Sequence, residues 1–307
     1  MTDAHDAADG FLQALDAAPI GTQSILKDQT IKDWIETSLH RALKRLDAAQ
    51  YHAAKVAHLV EQLNKKATEH ASKLKVPKNP KVTVHITSTS SMDEIAFEVD
   101  AFLAAARSCL DFAANILARH LGMHPKTSIS DILGALKKAK QPAFPFLTTW
   151  QPWIDRLKKY RDECVHYRTL RAQAGHEAVY KEGSIAQTSI PVVLREEIGK
   201  DEPDTRAMRM FAADADLPVG LDRTESWGGA TFPDGTDYMF QHEISYETAP
   251  GYIHVEKFCE QHLAQLQQFL VELLAEITLV QNSFWYPPFW TGEAAQEPDA
   301  GGLKLRR

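Results

Sequence analysis

Apolar positions recur along the chain first at a helical period and then at a strand period. Asp28 and Thr30 both fit a helix N-cap. After them, Ile31, Ile35, Leu39, Ala42, Leu46, Ala49, Ala53, Val56, Val60 and Leu63 repeat at alternating spacings of three and four. That spacing keeps one face of a long helix apolar. Alanines thin the stripe, which predicts close packing against other helices rather than a free coiled coil. The Lys75-Val-Pro-Lys-Asn-Pro80 segment ends the helix. Val82, Val84 and Ile86 alternate with Thr83, His85 and Thr87, predicting a short half-buried strand. Ser91 followed by Glu94 has capping-box order and opens a second helix that runs to about Leu121, with Gly122 as its stop. Ile95, Val99, Phe102, Ala106, Leu110, Ala113 and Leu117 form its apolar face, and Arg107 and Asp111 pair four apart on its surface. A short helix fits Ser128 to Lys140. Thr149 with Pro152 then opens a third major helix carrying Ile154, Leu157, Cys164 and Val165.

Helical periodicity stops near Gly175. Between Glu177 and Glu247, Ile185, Ile190, Val192, Val193 and Leu194 suggest strands. Turn signals are dense there, at Gly183, Pro203, Pro218-Val-Gly220, Gly228-Gly229 and Pro233-Asp234-Gly235. Past Pro250-Gly251 a last helix presents Val255, Phe258, Leu266, Phe269, Leu273, Ile277 and Val280 inward, and Phe284-Trp-Tyr-Pro-Pro-Phe-Trp290 follows it. The expected architecture is mainly α, an antiparallel bundle of about four main helices with a β-rich insert between the third and fourth. Its parts are a polar lead-in over 1–29, the bundle over 30–175 and 250–282, an acidic β-rich insert over 176–249, and an aromatic then flexible tail over 283–307.

Composition narrows the class. The chain has 307 residues, 44% hydrophobic and 24% charged, which excludes disorder throughout. No run reads as a membrane span, the start has no signal-peptide order, and Cys109, Cys164 and Cys259 form no CxxC pair. Buried reduced thiols in a cytoplasmic protein, away from the membrane, are the expectation. The net charge of −7 argues against a general nucleic-acid binder until it is divided. Lys137 to Arg171 holds nine basic and three acidic residues, a local +6, whereas Glu177 to Glu247 holds six basic and fifteen acidic, a local −9. The segregation suggests that the insert lies near the basic segment and limits access to it.

Phosphate loops, dinucleotide fingerprints, zinc-protease and nucleophile-elbow motifs are absent, and His120 with His124 lack further metal ligands nearby. What remains is Arg161-Asp-Glu-Cys-Val-His166, followed by Tyr167-Arg168. Histidine can move a proton to or from a ribose oxygen near neutral pH, and arginine can hold a phosphate bidentately while charge builds. Spacing alone does not select this pair, because Arg45/His52, Arg119/His124 and Arg171/His176 also fit R-x(4–6)-H. Context does: an acidic residue follows Arg161, the apolar Val165 precedes His166, and the pair lies in the penultimate bundle helix.

With that context the chain resembles the HEPN superfamily, small helical bundles marked by R-x(4–6)-H. Arg161-Asp162-x-x-Val165-His166 fits the form, and Phe97 to Arg107 looks like the helix preceding the family's motif. The resemblance covers roughly 30–175 and 250–280. It implies a metal-independent endoribonuclease without cofactor, formed where two motifs meet across a homodimer, in a prokaryotic toxin or phage-defence setting. Arg161 would then bind phosphate and His166 act as acid/base. Asp162, Tyr167 and Glu98 would support them, and Lys158, Arg168 and Arg171 would contact the RNA. A non-catalytic RNA-binding or scaffold protein, meeting a protein partner through the acidic insert or the aromatic tail, fits the same resemblance. The residues by themselves also fit a structural role, with Arg161 paired to a helix carboxylate such as Glu98.

Overall fold

The computed structural model describes residues 3–18, 29–73, 84–91, 93–120, 128–138, 145–166, 173–181, 184–196, 221–235 and 237–277. Among the described residues six helices dominate: α1 (Ala4–Ala17), α2 (Gln29–Ser72), α3 (Asp93–His120), α4 (Ile129–Lys138), α5 (Pro145–His166) and α6 (Val255–Glu276). Seven strands accompany them: β1 (Val84–Ser91), β2 (Gln173–Lys181), β3 (Ser184–Ile190), β4 (Val193–Arg195), β5 (Leu221–Thr231), β6 (Asp237–Thr248) and β7 (Tyr252–His254).

The helices pack around α3, which meets α2, α4, α5 and α6. By length and composition α3 could cross a membrane, with a mean hydropathy of 1.4, yet 61% of that stretch is buried inside the protein. Cross-helix contacts fix directions. His52 of α2 bonds Glu98 of α3, while Arg41, eleven residues earlier, lies over the Phe112 ring further along α3, so the two helices are antiparallel. His5–Asp47 and Lys32–Asp16 set α1 antiparallel to α2 in the same way. Phe146–Phe269, Trp153–His262 and Tyr160–Phe258 do so for α5 and α6.

Three expectations change. The lead-in is largely helix α1: Asp3 caps it through the His5 N–H, and Ala4, Ala8, Phe11 and Leu15 bury one face in the main core. A stripe half made of alanine reads as weak in sequence, but it seats the helix closely on α6 and α2. The third major helix begins at Pro145 rather than Thr149, and Pro152 lies inside it. Ser91 is the last residue of β1 rather than a cap of α3. The short helix and the Arg107–Asp111 pair stand as expected, although the pair is largely buried rather than on the surface. Cys109 and Cys259 are buried free thiols.

The β-rich region is present between α5 and α6, but it is not a self-contained insert. Its central strand β2 starts at Gln173 and pairs on one side with β1, which precedes α3, and on the other with β3, both antiparallel. Gly175 to Val179 of β2 are all buried because both faces are covered. Glu177 and Val179 face the β5–β6 hairpin, where Val179 packs with Ala186 and Ile244. His176 and Ala178 take the other face, toward α2. Gly228-Gly229 lies within β5 and is not a turn. The hairpin turn is Pro233-Asp234-Gly235, with Gly235 at φ +82° and its N–H bonded to the Phe232 carbonyl. The side chain of Trp227 and the aromatic tail lie outside the described residues.

Arg223 of β5 locks the hairpin to β2. Its Nε and Nη2 donate to the two Glu177 oxygens at 2.7 and 2.8 Å, and the Tyr246 hydroxyl donates to the same carboxylate. Glu177 is buried, so one missing partner strands a charge. Glu177→Gln leaves Arg223 ion-paired, among the described residues, with Glu225 alone and should lower stability by about 1–3 kcal/mol, read by denaturant unfolding, with amide exchange rising first in β5 and β6.

The α5–α6 seam is an aromatic zipper. Trp153 Nε1 donates to His262 Nδ1 at 3.0 Å, and Trp150 Nε1 donates to Glu272 at 2.7 Å. Burial, with Arg156 adding to it, pushes the His262 imidazole down to about 4. The neutral ring accepts from Trp153, and protonation removes that acceptor. An unfolded histidine titrates near 6.5, so this contribution is complete above that pH and drains away as pH falls toward 4. The chain should lose about 3 kcal/mol across that window relative to His262→Gln, whose pH–stability curve should lack the slope.

Candidate functional site

Arg161 lies in the last two turns of α5, half-buried, with Nη1 donating to Asp162 Oδ1 at 3.2 Å. Lys158, also half-buried, sits one turn earlier on a neighbouring line of the same helix. His166 is the final residue of α5. Its side chain lies outside the described residues, as do Tyr167, Arg168 and Arg171 entirely. Because α5 is continuous from Arg161 to His166, the two positions lie about 140° apart around the helix.

A polar node joins α5 to α3 and α4. Arg107 of α3 is only 9% exposed; its Nη2 donates to Ser130 Oγ at 3.0 Å and lies 3.4 Å from Asp111 Oδ1. Asp111 Oδ1 also accepts the Ile129 N–H at 3.2 Å, so this carboxylate caps the first turn of α4. Burial raises the Asp111 carboxyl above its ordinary value, opposed by the Arg107 and Arg161 charges and the Ile129 N–H. Arg161 thus bonds Asp162 on its own helix, and its charge reaches Asp111 of α3. Asp111 and Ser130 were missed as site residues because their lines of sight cross three helices. The i,i+4 spacing of Arg107 and Asp111 was the only signal available in the sequence.

Glu98 is elsewhere. Its Oε2 accepts from His52 Nδ1 at 2.6 Å on the α2–α3 seam. Thirteen residues separate it from Asp111, roughly 20 Å along α3, so Glu98 belongs to a different cluster from Asp111, the α3 carboxylate that feels Arg161.

The other R-x(4–6)-H pairs separate by context. His176 is buried in β2 with neither ring nitrogen bonded, and burial lowers its basicity. His124 is outside the described residues. Arg45 and His52 lie on one face of α2. Among the described residues no three His, Cys, Asp or Glu side chains converge as metal ligands. Next to Arg161, Tyr160 donates its hydroxyl to the Arg195 carbonyl at 2.5 Å, which brings β4 of the acidic region against the basic helix.

The fold is a mostly helical bundle carrying antiparallel sheets, and the polar node is where its helices exchange charge. Comparison of the chain with protein-family models, curated proteins and solved structures finds no match.

Removing Asp111 leaves Arg107 buried without its counter-charge. Asp111→Asn should destabilise the fold by about 3–5 kcal/mol, whereas Asp162→Asn, half-exposed, should change it by less than about 1 kcal/mol. Urea denaturation of both variants reads the difference.

Proposed function

We propose that the chain is a HEPN-like, metal-independent endoribonuclease of the cytoplasm, acting as a homodimer in a prokaryotic toxin or phage-defence setting. The observation that carries this reading is the position of Arg161. Its guanidinium bonds Asp162 on the same helix and its charge reaches Asp111 of α3, with Lys158 one turn earlier and His166 at the helix end. In the proposed reaction His166 takes the proton of the ribose 2′-hydroxyl. The 2′-oxygen attacks phosphorus, the bond to the 5′-oxygen breaks, and the proton taken by His166 passes, directly or through water, to that oxygen, leaving a 2′,3′-cyclic phosphate and a 5′-hydroxyl. Arg161 neutralises the charge gathering on the phosphate oxygens, and Lys158, Arg168 and Arg171 hold neighbouring phosphates. The 140° separation on α5 favours Arg161 of one chain working with His166 of another. Tyr167 completes the supporting set with Asp162; Glu98, paired to His52, is outside it.

A non-catalytic HEPN-like binding or scaffold protein is the second reading. The Asp162 carboxylate favours it, since it competes with phosphate for the Arg161 guanidinium. Purified protein incubated with RNA in EDTA separates the two. Cleavage with cyclic-phosphate ends is expected, and Arg161→Ala or His166→Ala should slow it by about a hundredfold or more. Cleavage that survives both substitutions overturns the assignment, and RNA bound but never cut supports the scaffold.

A further inference from the structure

We propose that His52 is a phosphoryl-accepting nucleophile, activated by Glu98, for N-phosphorylated donors of the phosphoramidate type. The site stands on α2 and α3 and is independent of the Arg161 reading.

The geometry selects one tautomer. Glu98 Oε2 lies 2.6 Å from His52 Nδ1, and a carboxylate can only accept, so the ring proton resides on Nδ1. In the neutral ring the lone pair is then on Nε2, which makes no hydrogen bond among the described residues. The His52 side chain is 26% exposed and Glu98 24%, open enough for a small donor yet sheltered enough to keep the pair aligned.

The surroundings suit a phosphoryl group. Lys55 follows His52 at i+3, and Arg45 precedes it on the same face of α2 at i−7. Neither cation forms an ion pair among the described residues. Ala48, one turn before His52, leaves room between Arg45 and the ring. Two of the three exposed large apolar side chains among the described residues flank the pair. Tyr51, 62% exposed, meets the His52 ring edge-on at 5.2 Å, and Phe97, 58% exposed, precedes Glu98. They offer a surface on which a donor can rest.

His5 also meets a carboxylate, Asp47, but through Nε2, and Asp3, Asp6 and Asp9 surround it with negative charge. His52 combines a carboxylate on Nδ1 with basic residues at i−7 and i+3 of its own helix.

The step balances simply. The Nε2 lone pair attacks phosphorus of a protonated phosphoramidate, the donor's P–N bond breaks, and ammonia leaves with that bond's electrons. The new Nε2–P bond makes the ring cationic. The Nδ1 proton stays toward Glu98, whose charge balances the ring, and Lys55, at i+3, is the cation on the same helix that would offset the phosphoryl charge.

Phosphoramidate itself is the probe. The intact protein is incubated with it, and each histidine is followed by mass spectrometry under alkaline conditions that preserve phosphohistidine. His40, which meets Glu36 only at 3.6 Å, and His58, bonded to Gln62, serve as controls on the same helix. His52 should be labelled about tenfold faster than either, and Glu98→Gln should bring it to their rate. A circular-dichroism spectrum shows that the variant keeps its helices. If that variant is unfolded, Lys55→Gln gives the second reading and should slow labelling of His52 severalfold. Labelling of His52 no faster than His40 and His58 overturns the proposal, as does an unchanged rate in a folded Glu98→Gln.

Discussion

The side chains of α3 are sealed around much of its circumference. Ile95, Val99, Phe102, Leu103, Leu110, Ala114 and Leu117 are all inaccessible or nearly so, and they do not lie on a single face. A helix of this kind cannot stand on a surface, so other elements must cover it on several sides. α2, α5, α6 and the short α4 do so, and the order of the bundle follows from that need. Covering α3 also buries its polar residues. Arg107 is drawn inside and needs Asp111 and Ser130, and Asp111 in turn satisfies the exposed amide at the start of α4. The placement of α4 is therefore electrostatic as much as apolar.

Each long seam carries at least one directional contact that fixes its register. His52–Glu98 does this for α2 and α3, and Trp153–His262 with Trp150–Glu272 for α5 and α6. Apolar stripes alone tolerate a slip of one turn, since leucine against leucine is nearly equivalent in either position. A buried indole N–H has one acceptor within reach and loses it on slipping. The sheet uses the same device, with Arg223, Glu177 and Tyr246 joining two layers that also meet through Val179 and Ala186 with Ile244, and through Ile190 with Leu221.

Helices α2, α3 and α6 were legible because their stripes are long and strongly periodic, and α4 was expected only as a short helix. The α1 stripe was not, because two of its four buried residues are alanine and its hydrophobicity appears only once it packs. β1 was legible as a strand, but its partner was not. Pairing between β1 and β2 spans three helices, and nothing local to Val84 or Gln173 specifies it. The insert boundary at 176 failed for that reason. At the candidate site, Arg161 and Lys158 stood out as part of a basic run, and the four-residue spacing exposed Arg107 with Asp111. The link from Asp111 to Arg161 depends on how α3 and α5 cross, and Glu98 was assigned to the wrong cluster for want of that geometry.

The polar residues of α3 carry the strongest argument about what the bundle is for. A buried ion pair is weak as a source of stability, because desolvation of both groups offsets their attraction. A helix selected for packing alone would place leucine or methionine at positions 98, 107 and 111. This chain instead keeps Glu98, Arg107 and Asp111 on a helix otherwise apolar enough to cross a bilayer. Each of the three meets a group from another helix: His52 of α2 for Glu98, Ser130 of α4 for Arg107, and the Ile129 N–H of α4 for Asp111. Two flanks of one rigid helix are thereby charged, roughly 20 Å apart. A rigid, buried helix that holds charged partners on both flanks costs stability in return for position, and position is what chemistry at His52 or at Arg161 requires.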